Sequence, residues 1–390
     1  MRFFPAGPIP SSLQTKAAWC DFLCGRALDP TRVRPHVLRA WERSRRLGCD
    51  PRLVRADLLS TVETVELLQR ESRLIEVATP FLNALSRAAG DDRHAAMLSD
   101  GQGRVLKIAG DPLTIEDENF PRAGSLLSEA TAGANGIGTT LAEGRYVELV
   151  GPEHFIEGFH VFTCQGVPLF ETANAPSGAL SMSLRRVEAA NKVRDILFCA
   201  SEAAACELLS RRLSEAIVTT GGLQTFLEPL RQDLVQGIAI ARLQLELAAH
   251  DIASGNDAAL SLGDAYQLSQ TFRRHAAVWR DLSDQATGSA EPIVLTDLAD
   301  EFTSLMATEA RVTNVTMHHG RMEKVLVLDD RRALSQRLLG AFLTAMQSAQ
   351  VASEIRIDVF ADALSGAITL TGISANHELV TYKTHSKLLK

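Results

Sequence analysis

At 390 residues and 42.3 kDa the chain exceeds what one hydrophobic core usually serves, so two or three domains are expected. With 46% hydrophobic and 22% charged residues it lies outside the low-hydrophobicity regime of disordered proteins. A net charge of −7 argues against a dedicated nucleic-acid-binding protein, and no apolar run reaches the roughly 18 residues a bilayer span needs, which points to the cytoplasm and away from a membrane.

The opening MRFFPAGPIPSS is Pro-rich and lacks the basic and apolar segments of a secretion signal. Six cysteines are scattered along the chain, and in a reducing compartment they are expected to stay free; Cys20 and Cys24 stand one helical turn apart, a spacing read as packing. Residues 31 to 47 read as an amphipathic helix with Val37, Leu38, Trp41 and Leu47 near helical spacing and arginines on the other faces. Residues 60 to 89 continue as a helix started by Ser60 and Glu63 in a capping box, with a kink expected at Pro80.

From residue 94 the pattern changes to short apolar runs. HAAMLSDGQGRVLKIAG contains the chain's strongest hairpin signal, around Asp100-Gly101. Further strands are expected at 146 to 150, 159 to 164, 166 to 170 and 178 to 184. Residues 187 to 218, rich in Ala, Glu, Arg and Leu, read as one long helix stopped by Gly221-Gly222. Two more long helices, 225 to 253 and 258 to 286, are joined by the turn SGND. Their apolar stripe (Leu230, Leu234, Ile238, Leu245; Leu262, Leu268, Phe272, Trp279) needs a partner surface, which a homodimeric four-helix bundle would supply. The last hundred residues show helices at 296 to 309 and 330 to 349, with strands at 325 to 328, 354 to 360 and 366 to 372.

Three phrases, in order over residues 37 to 184, resemble the N-terminal sensory region of activators in the acetoin-catabolism regulator family (sigma-54 activators), whose middle is a GAF domain. The first is Leu38-Arg39-Ala40-Trp41-Glu42-Arg43-Ser44 with Gly48-Cys49-Asp50-Pro51. The second is Ser128-Glu129-Ala130-Thr131-Ala132-Gly133-Ala134-Asn135-Gly136-Ile137-Gly138-Thr139. The third runs from Gly151-Pro152-Glu153-His154-Phe155 to Cys164-Gln165-Gly166-Val167-Pro168-Leu169. Leu127 stands where the family usually has Trp, Ala134 where it has Thr and Gly136 where it has Ala, so pocket size and polarity are altered and the ligand does not carry over.

In physical terms, the GANGIGT segment combines glycines that let the backbone come close to a ligand or strand with the polar groups of Asn135 and Thr139; a tight turn opening a helix is the plainer reading. Glu153, His154, His160 and Cys164 have three open readings: polar groups of a pocket, ligands of a metal without a compact motif, or structural hydrogen bonding. Phe155, Phe159 and Phe162 supply an apolar wall or plain core. If the pocket lies where GAF domains bind ligands, Glu129, Asn135, Thr139, His154, Phe162 and Cys164 line it, with no metal and no cofactor.

The segment from Leu230 to Ile238 resembles the dimerisation helix of nitrate-sensor-type histidine kinases. Aligning its glutamine with Gln236 places Arg231 where the phosphoacceptor His lies and Gln232 where its Asp lies, and a guanidinium cannot act as that nucleophile. Residues 338 to 349 resemble the kinase magnesium box, with Gly340 for Glu, Thr344 for Asn and Ser348 for His, and ITLTGISANHE lacks the glycine-rich adenine loop. The resemblance therefore implies a pseudokinase.

The sequence thus reads as an α+β chain in five parts: a helical segment at 1–89, a GAF-like sensor at 90–186, a signalling helix at 187–220, a helical hairpin at 221–288 and a degenerate ATPase-like α/β domain at 289–390. The expected function is non-catalytic sensing of a small organic ligand by a homodimer that relays to a response regulator or transcription activator. A kinase or phosphatase acting on a response regulator is one alternative. A DNA-associated regulator using the arginines at 39, 43, 45 and 46 is the other.

Overall fold

The computed structural model describes residues 9–170, 175–220, 224–265, 267–268, 288–312, 315–348, 354–362, 365–373 and 379–388. The chain is α+β and divides into two compact units, Met1–Leu208 with Ile238–Ser269, and Leu209–Gly237 with Gln270–Lys390.

The first unit opens with α1 (Ser12–Leu23), which the Pro-rich start gave no reason to expect. A capping box between Ser11 and Gln14 starts it, and Trp19 and Phe22 anchor its buried side. Helix α2 (Pro35–Arg46) follows, beginning on a proline whose missing N–H costs nothing in a first turn. The expected single helix at 60 to 89 is two helices, α3 (Thr61–Arg70) and α4 (Ser72–Ala88). The Ser60–Glu63 capping box is present, but the break falls at Glu71 and Pro80 lies inside α4. Packing sets the break: α3 buries only Leu67, whereas α4 buries a full stripe from Leu74 to Ala88 against the sheet.

That sheet is antiparallel throughout, with strand order β2-β1-β5-β4-β3. The hairpin expected at Asp100-Gly101 joins β1 (His94–Asp100) to β2 (Val105–Gly110); the Asp100 carboxylate accepts from the backbone N–H of Gln102 at 3.0 Å and of Arg104 at 2.8 Å. After short helices α5 (Pro112–Ile115), α6 (Glu129–Ala132) and α7 (Gly138–Glu143) come β3 (Val147–Val150), β4 (Thr163–Leu169) and β5 (Gly178–Leu184). No strand forms at 159 to 162. Those residues follow a tight turn at Glu157–Phe159 that docks on residues 51–54 through Glu157 N–H to Pro51 O and Gly158 N–H to Leu53 O. Only glycine fits there, because a Cβ on Gly158 would stand 1.9 Å from the Val54 carbonyl oxygen. The two strands expected at 159 to 164 and 166 to 170 are therefore one.

Both faces of this sheet are covered. Helix α4 packs on β1 and β2, and α8 (Val187–Thr220) buries Val193, Ile196, Leu197 and Ala200 and bonds to β4 through Ser201 Oγ and the Pro168 carbonyl at 3.0 Å. The C-terminal half of α9 (Gln224–Ala253) joins them, with Arg242 over the Phe81 ring at 5.3 Å and an Arg87–Glu246 ion pair. Ile238 and Leu245, assigned from the sequence to a dimer stripe, are buried within this unit, so part of the partner surface is the chain's own; the side chains of Leu230 and Leu234, and the residues around Phe272 and Trp279, lie outside the described residues. The opposite face is covered by α1, α2 and the segments at 120–137 and 155–162.

The second unit holds a six-stranded sheet of order β6-β8-β11-β10-β9-β7, in which β7 and β9 are parallel. Its strands are β6 (Glu291–Val294), β7 (Thr316–Met322), β8 (Leu326–Asp329), β9 (Glu354–Ala361), β10 (Ser365–Ile373) and β11 (Leu379–Leu388). Helices α10 (Leu295–Val312) and α11 (Arg331–Ser348) stack Phe302 on Phe342 at 6.0 Å. Strands β8, β9 and β10 are those expected from the sequence, while β6, β7 and β11 were not expected; β6 and β7 are edge strands with largely exposed residues, so burial imposes no alternation on them. Among the described residues no helix is long and apolar enough to cross a membrane.

Gly166 fixes how the Gly133–Gly138 loop lies on the sheet, because a Cβ there would stand 2.0 Å from the Gly136 carbonyl oxygen and 2.3 Å from Thr140 Oγ1. Gly166→Ala is expected to lower unfolding stability by about 1–3 kcal/mol through overpacking. Gly340→Ala, in an exposed helical position with nothing near its Cβ, is expected to raise it by about 0.5–1 kcal/mol. Urea denaturation of the two variants checks both signs.

Candidate functional site

Apart from Met97, the interior-facing residues of β1, β4 and β5 that look toward α2 are small: Ala95, Cys164, Gly166, Ser181 and Ser183, with the register Met97↔Ser181 and Cys164↔Ser183. Above them the Gly133–Gly138 loop and the aromatic residues Phe120, Phe159 and Phe162 close a cavity of about 20 Å³. Every residue lining it is buried.

Of the six residues expected to form a site, Asn135, Phe162 and Cys164 line this cavity. Asn135 spends its whole amide on its own loop. Nδ2 donates to the carbonyls of Leu127 and Gly133 at 2.9 and 2.8 Å, and Oδ1 accepts from the N–H groups of Ile137 and Gly138, each at 2.9 Å. Four bonds exhaust an amide, so Asn135 shapes the wall rather than presenting a polar edge. Phe162 packs edge-on against Phe120 at 5.4 Å and carries Arg185 over its ring at 4.2 Å. The Cys164 thiol lies 3.1 Å from Ser183 Oγ, and burial pushes it up to about 12.

Glu129, Thr139 and His154 lie outside the cavity lining. The Thr139 hydroxyl donates to Glu129 at 2.8 Å, and Glu129 accepts two bonds from Arg43 on α2, at 2.6 and 2.9 Å. Arg43 also reaches Glu143 at 2.8 Å. Burial would raise the Glu143 carboxyl, but hydrogen bonds from Arg39, Arg145 and Arg43 hold it at about 2. His154 is fully buried and points Nδ1 at the Gly151 carbonyl, 2.9 Å away; its Nε2 has no protein partner. Among the described residues no three of His, Cys, Asp and Glu are grouped to hold a metal ion.

The three sequence phrases thus hold one another. From the first, Arg43 grips Glu129 of the second, and Trp41 Nε1 donates to the Glu153 carbonyl of the third at 2.8 Å. Trp19 does the same for the Phe155 carbonyl at 3.0 Å. In the arginine cluster that suggested a DNA-contacting face, Arg39 and Arg43 pair with Glu143 and Arg45 lies over the Phe22 ring at 4.3 Å, while Arg39, Arg45 and Arg46 are exposed.

A second polar cluster ties the sheet edge to the helices. Glu148 on β3 accepts from Arg34 at 3.1 Å, from Gln165 at 3.0 Å and from Arg194 on α8 at 3.0 Å, while Arg34 also forms a two-pronged pair with Glu153. Burial works against the Glu148 carboxylate, yet Gln165, Arg34 and Arg194 together keep it below the usual range. Sequence reasoning missed Arg34, Glu148 and Arg194, which lie far apart in the chain. It also missed Ser181 and Ser183 in the cavity wall, although the alternation in GALSMSL places both on one face of a strand.

The family model described as the N-terminal domain of MimR matches residues 11–208, which is half of the chain. The chain belongs to this MimR N-terminal domain family. Its MimR-type half is 32% identical over 168 residues to the propane 2-monooxygenase operon transcriptional activator MimR of Mycolicibacterium goodii, covering 42% of this chain and 28% of that one. It is 27% identical over 179 residues to the acetoin dehydrogenase operon transcriptional activator AcoR of Bacillus subtilis, covering 45% and 29%. An uncharacterized 47.3 kDa protein in the thcA 5′ region of Rhodococcus erythropolis is 26% identical over 330 residues, covering 81% of this chain and 65% of that one. The chain spans less than a third of the length of the two activators. The resemblance to the acetoin-catabolism regulators seen in the sequence is thereby supported over the MimR-type half.

Burial pulls the His154 imidazole from its ordinary 6.5 down to about 4. Between those values the unfolded chain binds the extra proton and the folded one does not, so stability falls as pH drops through that window. A loss of about 2 kcal/mol from this residue is expected between about pH 7 and pH 5. His36 and His160, also lowered chiefly by burial, act in the same direction. His154→Gln should flatten the urea-midpoint profile over this range; an unchanged slope would contradict the assignment.

Proposed function

We propose that the MimR-type half is a GAF-like sensor for a small, uncharged, largely apolar molecule, bound in the cavity beneath Phe120, and that occupancy is passed to α8. The observation that carries this reading is the cavity itself: apolar walls, the paired Cys164 thiol and Ser183 hydroxyl, and the Ser181 hydroxyl, which donates to the Gln165 carbonyl at 2.7 Å and keeps its lone pairs to accept. No residue that lines the cavity is charged, so a charged guest would shed its hydration there at a cost on the order of several kcal/mol. Leu127 and Gly136, two positions where the chain departs from the family pattern, both line the cavity, which supports a ligand different from those of the relatives. The route to α8 is short. Leu149 pairs with Cys164, and its neighbour Glu148 holds Arg194.

For the C-terminal half we favour a degenerate histidine-kinase scaffold working in the cytoplasm without phosphoryl transfer. Thr344, at the position of the magnesium-holding Asn, is exposed and donates its hydroxyl to the Gly340 carbonyl of its own helix at 2.6 Å. A homodimer is supported by α9, which leaves Ile240, Leu243 and Leu247 exposed on the face opposite Ile238, Ala241 and Leu245. The output we propose is control of transcription, directly or through a response regulator or activator, in keeping with the similarity to the transcriptional activators MimR and AcoR.

Thermal-shift measurements on the full chain with short-chain alcohols and ketones, beside carboxylates of the same chain lengths, test the sensor. Stabilisation by neutral molecules alone is expected. Ser183→Val should weaken the binding by about 1–3 kcal/mol by removing a buried polar partner. Stabilisation by the carboxylates, or an unchanged affinity in Ser183→Val, would overturn the reading, and a native mass spectrum of the same sample is expected to give a dimer mass. For the scaffold, incubation with ATP labelled at the γ-phosphate and Mg²⁺ is expected to leave the protein unlabelled, with Arg231→His no different.

A further inference from the structure

We infer that Phe120 is a lid between the buried cavity and an outer polar chamber, and that small uncharged molecules enter the site through that chamber. This rests on the reading of the cavity as the ligand site. The chamber has a volume of about 220 Å³ and is lined by Arg55, Asp57, Glu118, Asn119, Arg122 and Ser125 among others. Phe120 and Pro121 line both hollows, and no other residue is shared between them. The wall between the inner site and the chamber is therefore these two side chains.

Size makes the wall consequential. An accessible space of about 20 Å³ is enough for little more than one water-sized group. Protein interiors are close-packed, so an organic molecule of several heavy atoms gains room only if a wall residue moves. The strand residues of the wall are held by the sheet ladder, and the Gly133–Gly138 loop is held by the Asn135 amide.

Phe120 is held differently. Its N–H donates to the Asp117 carbonyl at 2.9 Å, and the Asn119 N–H to the Asp117 carboxylate at 2.9 Å, so the turn closes on itself. Pro121 has no N–H, and that of Arg122 goes to Ser125 Oγ at 2.9 Å. Backbone bonds to the rest of the domain resume at Gly124, which donates to the Val105 carbonyl at 2.8 Å and accepts from Leu59 at 3.0 Å. What seats Phe120 is its ring, edge-on against Phe162. Swinging that ring outward joins the two hollows without breaking a sheet hydrogen bond.

The chemistry of the two hollows selects the traveller. The chamber carries two arginines and two carboxylates, so it attracts neither sign of charge overall. Past Phe120 the surroundings are apolar, and an ion pays its desolvation cost there. Neutral molecules pass and ions stay outside.

Cys164 lines the inner cavity and serves as the reporter. The full chain is treated with neutral methyl methanethiosulfonate or the anionic sulfonatoethyl reagent, and labelling is followed by peptide mass spectrometry. Exposed Cys20 and Cys24 gauge reagent activity, and buried Cys199 and Cys206 gauge general unfolding. Phe120→Ala is expected to speed neutral labelling of Cys164 by roughly tenfold, with Cys199 and Cys206 unchanged. Asn119→Trp, which fills the chamber from an exposed position, should slow it by about threefold. The ratio of Cys164 to Cys20 labelling should be roughly tenfold lower with the anionic reagent than with the neutral one. If Phe120→Ala fails to fold, Phe120→Leu and Asn119→Trp carry the test. Cys164 rates that are indifferent to these variants, or that rise in step with Cys199 and Cys206, would overturn the lid. Indifferent rates beside an intact thermal shift by neutral molecules would remove the lid and leave the ligand site standing; lid-dependent labelling without any thermal shift would do the reverse.

Discussion

The contact on which the site depends is the approach of the Gly136 carbonyl to Gly166 on β4, a distance that leaves no room for a Cβ. It lets a whole loop lie flat on a strand face made of Gly, Ser and Cys instead of the branched residues that usually fill a sheet interior. Because those side chains are short, the loop and the sheet leave a space that the aromatic residues above only partly fill. The cavity follows from the choice of small residues on one strand face together with a loop whose amide bonds are fully used within itself.

Around that contact the domain is braced by buried charge. A buried ion pair on its own brings little net stability, since desolvation offsets the attraction. Here each carboxylate has several donors: Glu129 has Arg43 and Thr139, and Glu148 has Arg34, Gln165 and Arg194. Removing one partner strands the rest, so the clusters hold α2, the loop, the edge strand and α8 in one arrangement. Glu148 adds a functional aspect, because the strand that carries it pairs with the strand that carries Cys164, while its carboxylate grips the helix leaving the domain.

Much of the element order was legible. The hairpin at Asp100, the strand at 178 to 184, the long helix after residue 186 and the capping box at Ser60 all carry local signals, and each is present. Failures occurred where distant residues decide. The break between α3 and α4 and the turn at Glu157–Phe159 depend on what those segments pack against, and the edge strands β6, which buries only Ile293, and β7 show no buried alternation to mark them. Glu129 and Thr139 were both expected to line the ligand pocket, yet Thr139 donates to Glu129, and Glu129 is held by Arg43, 86 residues upstream of it.

The sequence by itself determined the α+β character, the family to which residues 11–208 belong, and the loop whose glycines permit close approach. These are properties of local spacing and of ordered motifs, readable because backbone conformation and hydrophobic period act over a few residues. Only the tertiary structure decided which polar groups face the cavity and which are consumed by neighbours. A side chain's hydrogen-bonding capacity is finite, and whether any remains for a ligand depends on partners the fold brings from elsewhere. For Asn135 nothing remains, whereas Ser181, which donates to the Gln165 carbonyl, and Ser183, which pairs with Cys164, keep lone pairs at the wall, where strand register places them opposite Met97 and Cys164.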